Sequence, residues 1–158
     1  MMLGVEEWAS AMSGSQKPLE LILARNLLTS VTTPAFLVAR DGGLLFYNEG
    51  AGALLGRPFE DVGQLDAGEW TASFGPLDDD DQPIPLEDLP LTTALRDGRP
   101  AHAEFRVRDS RGLKHKIAAS AMPIVGHGDG ASGAMVIFWP VDEDRARDLT
   151  TGRHEVAR

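Results

Sequence analysis

The chain has 158 residues, enough for one domain with a substantial core and too few for two comfortable ones. Its 42% hydrophobic and 25% charged residues fit a globular protein, and the lack of cysteine excludes disulfides, thiolate metal sites and a cysteine nucleophile or flavin adduct. A formal charge of −9 repels phosphate backbones, so no nucleic-acid partner is expected.

No apolar run approaches the roughly 18 residues that cross a bilayer. Glu6 and Glu7 stand where a signal peptide would carry lysines, so a cytoplasmic protein with no membrane partner is expected. Residues 1–17 lack sustained periodicity and read as a leader, mobile or partly helical. The domain is expected over residues 18–141, beginning with a flanking helix over 19–31. There Leu19, Ile22, Leu23 and Leu27 form one apolar stripe, and Leu21, Ala24, Leu28 and Val31 another. A helix lying on one surface needs only about a 100° apolar arc. The excess points to two burial partners: its own domain and a second subunit, with Leu19, Ile22, Leu23 and Leu27 as the expected dimer interface.

Two β-rich runs follow, residues 35–39 and 44–47, joined by Asp41-Gly42, which can supply the positive φ angles of a two-residue hairpin turn. Asn48 is placed to cap the next helix, Glu49 suits its positive end, and Gly56 is a left-handed stop. Asp41, Gly42, Asn48 and Gly56 are therefore the residues expected to define the fold. Residues 57–63 suggest a single helical turn with Pro58 in its first turn. Residues 64–85 read as irregular; they hold Trp70, Phe74, the acidic run 78–81 and Pro76, Pro83 and Pro85. A helix then starts near Asp88, with Pro90 in its first turn, runs through Leu91, Ala94 and Leu95, and stops at Gly98.

From Ala101 the period changes to two. Ala101, Ala103, Phe105 and Val107 alternate with His102, Glu104, Arg106 and Arg108, the pattern of a strand with one polar face. Turns at 109–112 and 126–130 separate it from strands over 113–124 and 132–141, giving an antiparallel meander. The last two strands are apolar or small on both parities, so both their faces should be covered. The short helices would cover one face. The 19–31 helix, alone or with a subunit mate, would cover the other. Residues 142–158 read as a charged tail or short helix, not as a kinase, cyclase, phosphatase or DNA-binding segment.

This order of elements, with the residues at each joint, resembles a PAS domain over about residues 21–144. The segments that carry the resemblance are Ala35-Phe36-Leu37-Val38-Ala39-Arg40-Asp41-Gly42 with Asn48 and Leu54-Leu55-Gly56; Pro83-Ile84-Pro85-Leu86-Glu87-Asp88-Leu89-Pro90-Leu91 with Ala94-Leu95; Glu104-Phe105; Ala119-Ser120-Ala121-Met122-Pro123-Ile124; and Gly133-Ala134-Met135-Val136-Ile137-Phe138. Two joints depart from the family pattern: Asp79-Asp80-Asp81-Gln82 replaces Asp-x-Asp-Gly, and Val141-Asp142-Glu143-Asp144-Arg145 replaces Asp-Ile-Thr-Glu.

The resemblance implies an α+β fold, a five-stranded antiparallel sheet with short helices on one face and an N-terminal flanking helix. It also implies a non-enzymatic sensory module in signal transduction, with a pocket between the sheet and the short helices. Inward candidates are Phe36 or Leu37, Val38, Leu54, Leu55, Trp70, Phe74, Leu91, Leu95, Phe105, Val107, Met122, Met135 and Ile137, which could enclose a small hydrophobic ligand. A ligand-free dimerisation module is the alternative, and a haem-binding gas or redox sensor or a small enzyme stands further off. No cofactor and no signalling partner can be assigned from the residues.

Other chemistry finds little support in the spacing. The acidic run 78–81, with Glu87 and Asp88 nearby, lacks the alternating ligands and distal Glu of a calcium loop and reads as a solvated loop. His102, His115, His127 and His154 are too far apart in sequence for a shared metal motif and read as surface histidines. No Gly-x-Ser-x-Gly elbow or phosphate-cradling loop is present, so no catalytic residue is assigned. Arg106, Arg108, Arg111, Lys114 and Lys116 read as a solvated hairpin face.

Overall fold

The computed structural model describes residues 18–126 and 130–141. The expected leader, the tail, and the second turn's His127 lie outside the described residues, as does His154. The first helix, α1 (Leu19–Thr29), is two residues shorter than its apolar pattern predicts, because the chain turns at Ser30 toward the first strand. Its inner residues Leu21, Ala24 and Leu28 pack against Ala35, Leu37, Phe46, Met135 and Ile137.

Strands β1 (Ala35–Ala39) and β2 (Leu44–Tyr47) form the expected hairpin, but its turn differs from the expectation. Only Gly42 takes a positive φ, 86°. Asp41 instead accepts the Gly43 N–H on Oδ1 at 2.9 Å, and the pairing shifts by one residue between Leu37 and Val38. A longer loop closing on a left-handed glycine accommodates the strand twist without forcing a side chain into that region.

Four short helices follow: α2 (Glu49–Leu55), α3 (Phe59–Val62), α4 (Ala67–Phe74) and α5 (Pro90–Asp97), with a 3₁₀ turn at Leu86–Asp88 before the last. Helix α2 is capped by Asn48 and ends on Gly56 at φ 80°, and α5 ends on Gly98 at φ 65°, as the stop signals predict. Helix α4 lies inside the stretch expected to be irregular. Its Asp66 side chain accepts the Glu69 N–H at 2.8 Å, while the Glu69 carboxylate accepts the Asp66 N–H at 3.2 Å. That reciprocal Asp-x-x-Glu box was legible in the sequence and starts the helix despite the prolines downstream.

The meander is β3 (Ala101–Arg108), β4 (Lys114–Val125) and β5 (Ala131–Pro140). All five strands make one antiparallel sheet in the order β2-β1-β5-β4-β3. Phe36 pairs with Val136 and Phe105 with Ile117, so those residues share the inner face with Val38, Ala119 and Phe138, under the short helices. The alternate residues face outward, where α1 covers β1 and β5. Both margins of the sheet carry a further backbone pair. Leu44 exchanges hydrogen bonds with Leu65 beside β2 (2.7 and 3.2 Å), and Leu77 exchanges them with Arg106 beside β3 (2.8 and 2.9 Å).

Candidate functional site

The inner face of the sheet and the short helices enclose an apolar cavity of about 50 Å³. Phe36, Phe105, Ile117, Val136 and Phe138 come from the strands, and Leu55, Trp70, Phe74 and Leu91 from the helices. The rings touch one another: Phe36 lies 5.5 Å from Phe138 and 6.0 Å from Trp70, centroid to centroid. Larger hollows exist; the groove lined by Glu20, Arg40, Asp41 and Asp66 opens to solvent and carries charges of both signs.

Two wall residues bear polar atoms, Trp70 and Tyr47, and both atoms are already engaged. Trp70 Nε1 donates to the Gly42 carbonyl at 2.8 Å, and the Tyr47 hydroxyl donates to the Arg57 carbonyl at 2.6 Å. Burial pushes the Tyr47 phenol up to about 12, with Arg57 opposing and Glu60 and Asp61 adding to the rise. Among the described residues no buried side-chain nitrogen or oxygen lacks a partner. The cavity therefore offers a ligand packing surface and no free hydrogen-bonding side chain.

Of the candidates read from the sequence, Phe36, Leu55, Trp70, Phe74, Leu91, Phe105 and Val107 stand together on the wall. Val38 is buried in the same core, and Leu54 and Leu95 pack at its rim, without lining the cavity. Met135 and Ile137 stand on the opposite face, beneath α1, as does Leu37. Met122 pairs with Met135 and shares that outer face. On doubly covered strands apolarity does not reveal which parity faces inward; the pairing of Phe36 with Val136 does. Ile117, Val136 and Phe138, with Gly75, Pro76 and Leu89, also line the cavity and are not among those candidates.

On α1, Leu19, Leu23 and Leu27 are 65%, 57% and 58% exposed, an apolar stripe turned away from the domain. Ile22 beside them is half-buried. Trp139, at the outer end of β5, is 41% exposed and stacks on His102.

The acidic run is held by the basic hairpin face. Asp79 meets Lys116 at 2.7 Å, and Asp81 meets Lys114 at 2.9 Å and Arg106 at 3.5 Å. Asp78 is occupied by the amides of Asp80 and Gln82. His115 is bonded to Asp109 at 2.9 Å, in the turn between β3 and β4.

Asp109 is buried there, and its carboxylate also accepts the Arg111 and Leu113 amides. The hydrogen bond from His115, followed by those two amides, lowers its carboxyl to about 2, against the opposing effect of burial. A depressed carboxyl stabilises the fold above the unfolded value near 4 and loses that contribution as pH falls toward 2. Melting temperature measured from pH 5 to pH 2 should accordingly fall more steeply in the wild type than in Asp109→Asn; parallel curves would remove Asp109 from the acid response.

A curved antiparallel sheet in the order β2-β1-β5-β4-β3, closed over a small interior by short helices, defines the class of α+β domain to which the chain belongs. The fold is the PAS fold. The structure is similar to the PAS domain of BvgS from Bordetella pertussis, at 14% identity and TM-score 0.54 over 87% of this chain and 97% of that one. It is similar to a LOV protein from Rhodobacter sphaeroides, at 12% identity and TM-score 0.61 over 80% of this chain and 70% of that one. A PAS domain of a protein from Colwellia psychrerythraea matches at 18% identity and TM-score 0.54, over 76% and 97%. No protein-family model matches the sequence, and no curated protein matches it. Among the described residues no helix is long and apolar enough to cross a membrane.

Proposed function

We propose that the chain is a non-enzymatic, cytoplasmic sensory module that takes a small apolar molecule into its interior cavity and pairs with a second copy through the leucine stripe of α1. One observation carries the ligand class: the only polar side-chain atoms on the wall, Trp70 Nε1 and the Tyr47 hydroxyl, are turned onto backbone carbonyls. A ligand needing hydrogen bonds, such as a flavin or a haem with its carboxylates, would leave its own polar atoms unpaired there. The volume supports the same reading. At about 50 Å³ the cavity is smaller than the ~150 Å³ apolar void that holds benzene, so any ligand beyond a few heavy atoms must move the wall.

Dimerisation is favoured by Leu19, Leu23 and Leu27, three large apolar side chains one turn apart and more than half exposed. Native mass spectrometry of the freshly purified chain reads both parts at once. The expected result is a dimer carrying an apolar small molecule, which becomes a monomer in Leu23→Asp or Leu27→Asp. A wild-type monomer at high micromolar concentration sinks the pairing, and a bound polar cofactor sinks the ligand class.

A further inference from the structure

The interior cavity has an outer neighbour. A hollow of about 390 Å³ lies open to solvent between α4, the loop that follows it and the end of β3. Gly75 and Pro76 line both spaces, so the wall between them at that place is one dipeptide deep. Gly75 sits at φ 98°, where glycine is favoured, and adds no side chain to the wall. Two other open hollows meet the cavity only at Leu44 and at Tyr47, whose bulky side chains stand in between.

The two spaces differ in what they offer. The cavity wall carries no charged residue, and its polar side-chain atoms are spent on backbone carbonyls. The outer hollow is lined by Pro83, Ile84 and Leu86, with two polar side chains, Thr71 and Arg108. The Thr71 hydroxyl donates to the Ala67 carbonyl at 2.6 Å. Arg108, half-buried at the end of β3, bonds through its side chain to no other described residue. Asp79 and Asp81 pair instead with Lys116, Lys114 and Arg106. Arg108 is therefore the one charged side chain of the hollow, and its charge is uncompensated.

We propose that the hollow is the mouth of the cavity and that the ligand is an apolar chain ending in a monocarboxylate, its tail inside and its carboxylate on Arg108. This rests on the reading of the cavity as the ligand site and sharpens it to a chemical class. By proportion with the six carbons of benzene in ~150 Å³, a void of about 50 Å³ takes about two carbons, so the rest of the chain crosses at Gly75-Pro76 into the hollow. An interior that pairs no polar atom keeps the charged end out, and the guanidinium offers it a fork of N–H donors. A single guanidinium on a chain of net charge −9 favours a monoanion over a phosphate dianion.

Calorimetric titration of the full chain with hexanoate, 1-hexanol and acetate tests the assignment. Hexanoate should bind at least about fivefold more tightly than 1-hexanol, which shares its tail, and acetate should not bind. Arg108→Gln should bring hexanoate to the level of 1-hexanol and leave 1-hexanol unchanged, while Arg111→Gln, in the exposed turn beyond β3, should alter neither. Ala119→Val adds two carbons to the cavity wall and should weaken both ligands alike.

Equal affinity for hexanoate and 1-hexanol, or a preference that survives Arg108→Gln, overturns the mouth and its carboxylate and leaves the cavity reading in place. Unchanged binding in Ala119→Val puts the tail elsewhere and overturns the proposal; should that variant fail to fold, the Arg108→Gln comparison decides alone. Binding of neither ligand by the wild type overturns the proposal together with the cavity reading.

Discussion

Phe138→Ala should lower the free energy of unfolding by about 4 kcal/mol, the cost of a large ring lost from a core together with the void it leaves. Phe138 is 2% exposed, packs against Phe36 and already borders the natural cavity, so its removal joins two spaces. Urea titration should show the midpoint falling with little change in slope. The enlarged, dry cavity should then accept benzene, which at a hundred times its dissociation constant returns about 2.7 kcal/mol. Leu28→Ala, on the other face beneath α1, is the control: it should destabilise without giving a benzene response. If benzene fails to stabilise Phe138→Ala, the wall collapses into the space, and the interior is plastic rather than preformed.

The second large effect lies at alkaline pH. The folded Tyr47 phenol titrates at about 12 because burial disfavours the phenolate, whereas an unfolded tyrosine titrates near 10. The unfolded chain therefore releases its proton first. The stabilisation is intact below pH 10 and disappears as pH rises toward 12, a loss of about 2 kcal/mol. Tyr47→Phe should lose about 1 kcal/mol at neutral pH with its bond to the Arg57 carbonyl, and its stability should be flatter across the alkaline range. Tyr47 is the sole tyrosine of the chain, so phenolate absorbance reports its ionisation directly. A phenolate forming near pH 10 while the fold persists would refute the account.

Most of the architecture was legible because local and tertiary signals agree. Asn48 could be read as a cap because a polar residue ends a strand just before a helix-forming run; its bonds to Leu28 at the end of α1 and to Val31 and Thr33 in the link after it could not, since they join residues brought together only by the fold. Gly50 gave no hint either, its requirement being the approach of a distant carbonyl. The alternation in β3 separated Phe105 and Val107 from Arg106 and Arg108 correctly, because one face is polar. In β5 both faces are apolar, so the pattern alone points Met135 and Ile137 inward, whereas Val136 and Phe138 take that face and Met135 and Ile137 lie under α1. Asp79 and Asp81 looked like solvated charges, and the basic face that neutralises them looked independent; nothing local in the sequence couples the two.

The two backbone clips, Leu65 beside β2 and Leu77 beside β3, bear on how copies of this chain can meet. An open sheet invites another chain to zip onto its border and so to grow without limit. Here each border is met at one point by the protein's own loop, and Asp81 pairs with Arg106 on the β3 side. Stacking through strands is thereby discouraged at those points, which favours the closed pairing through α1 proposed above over open-ended growth.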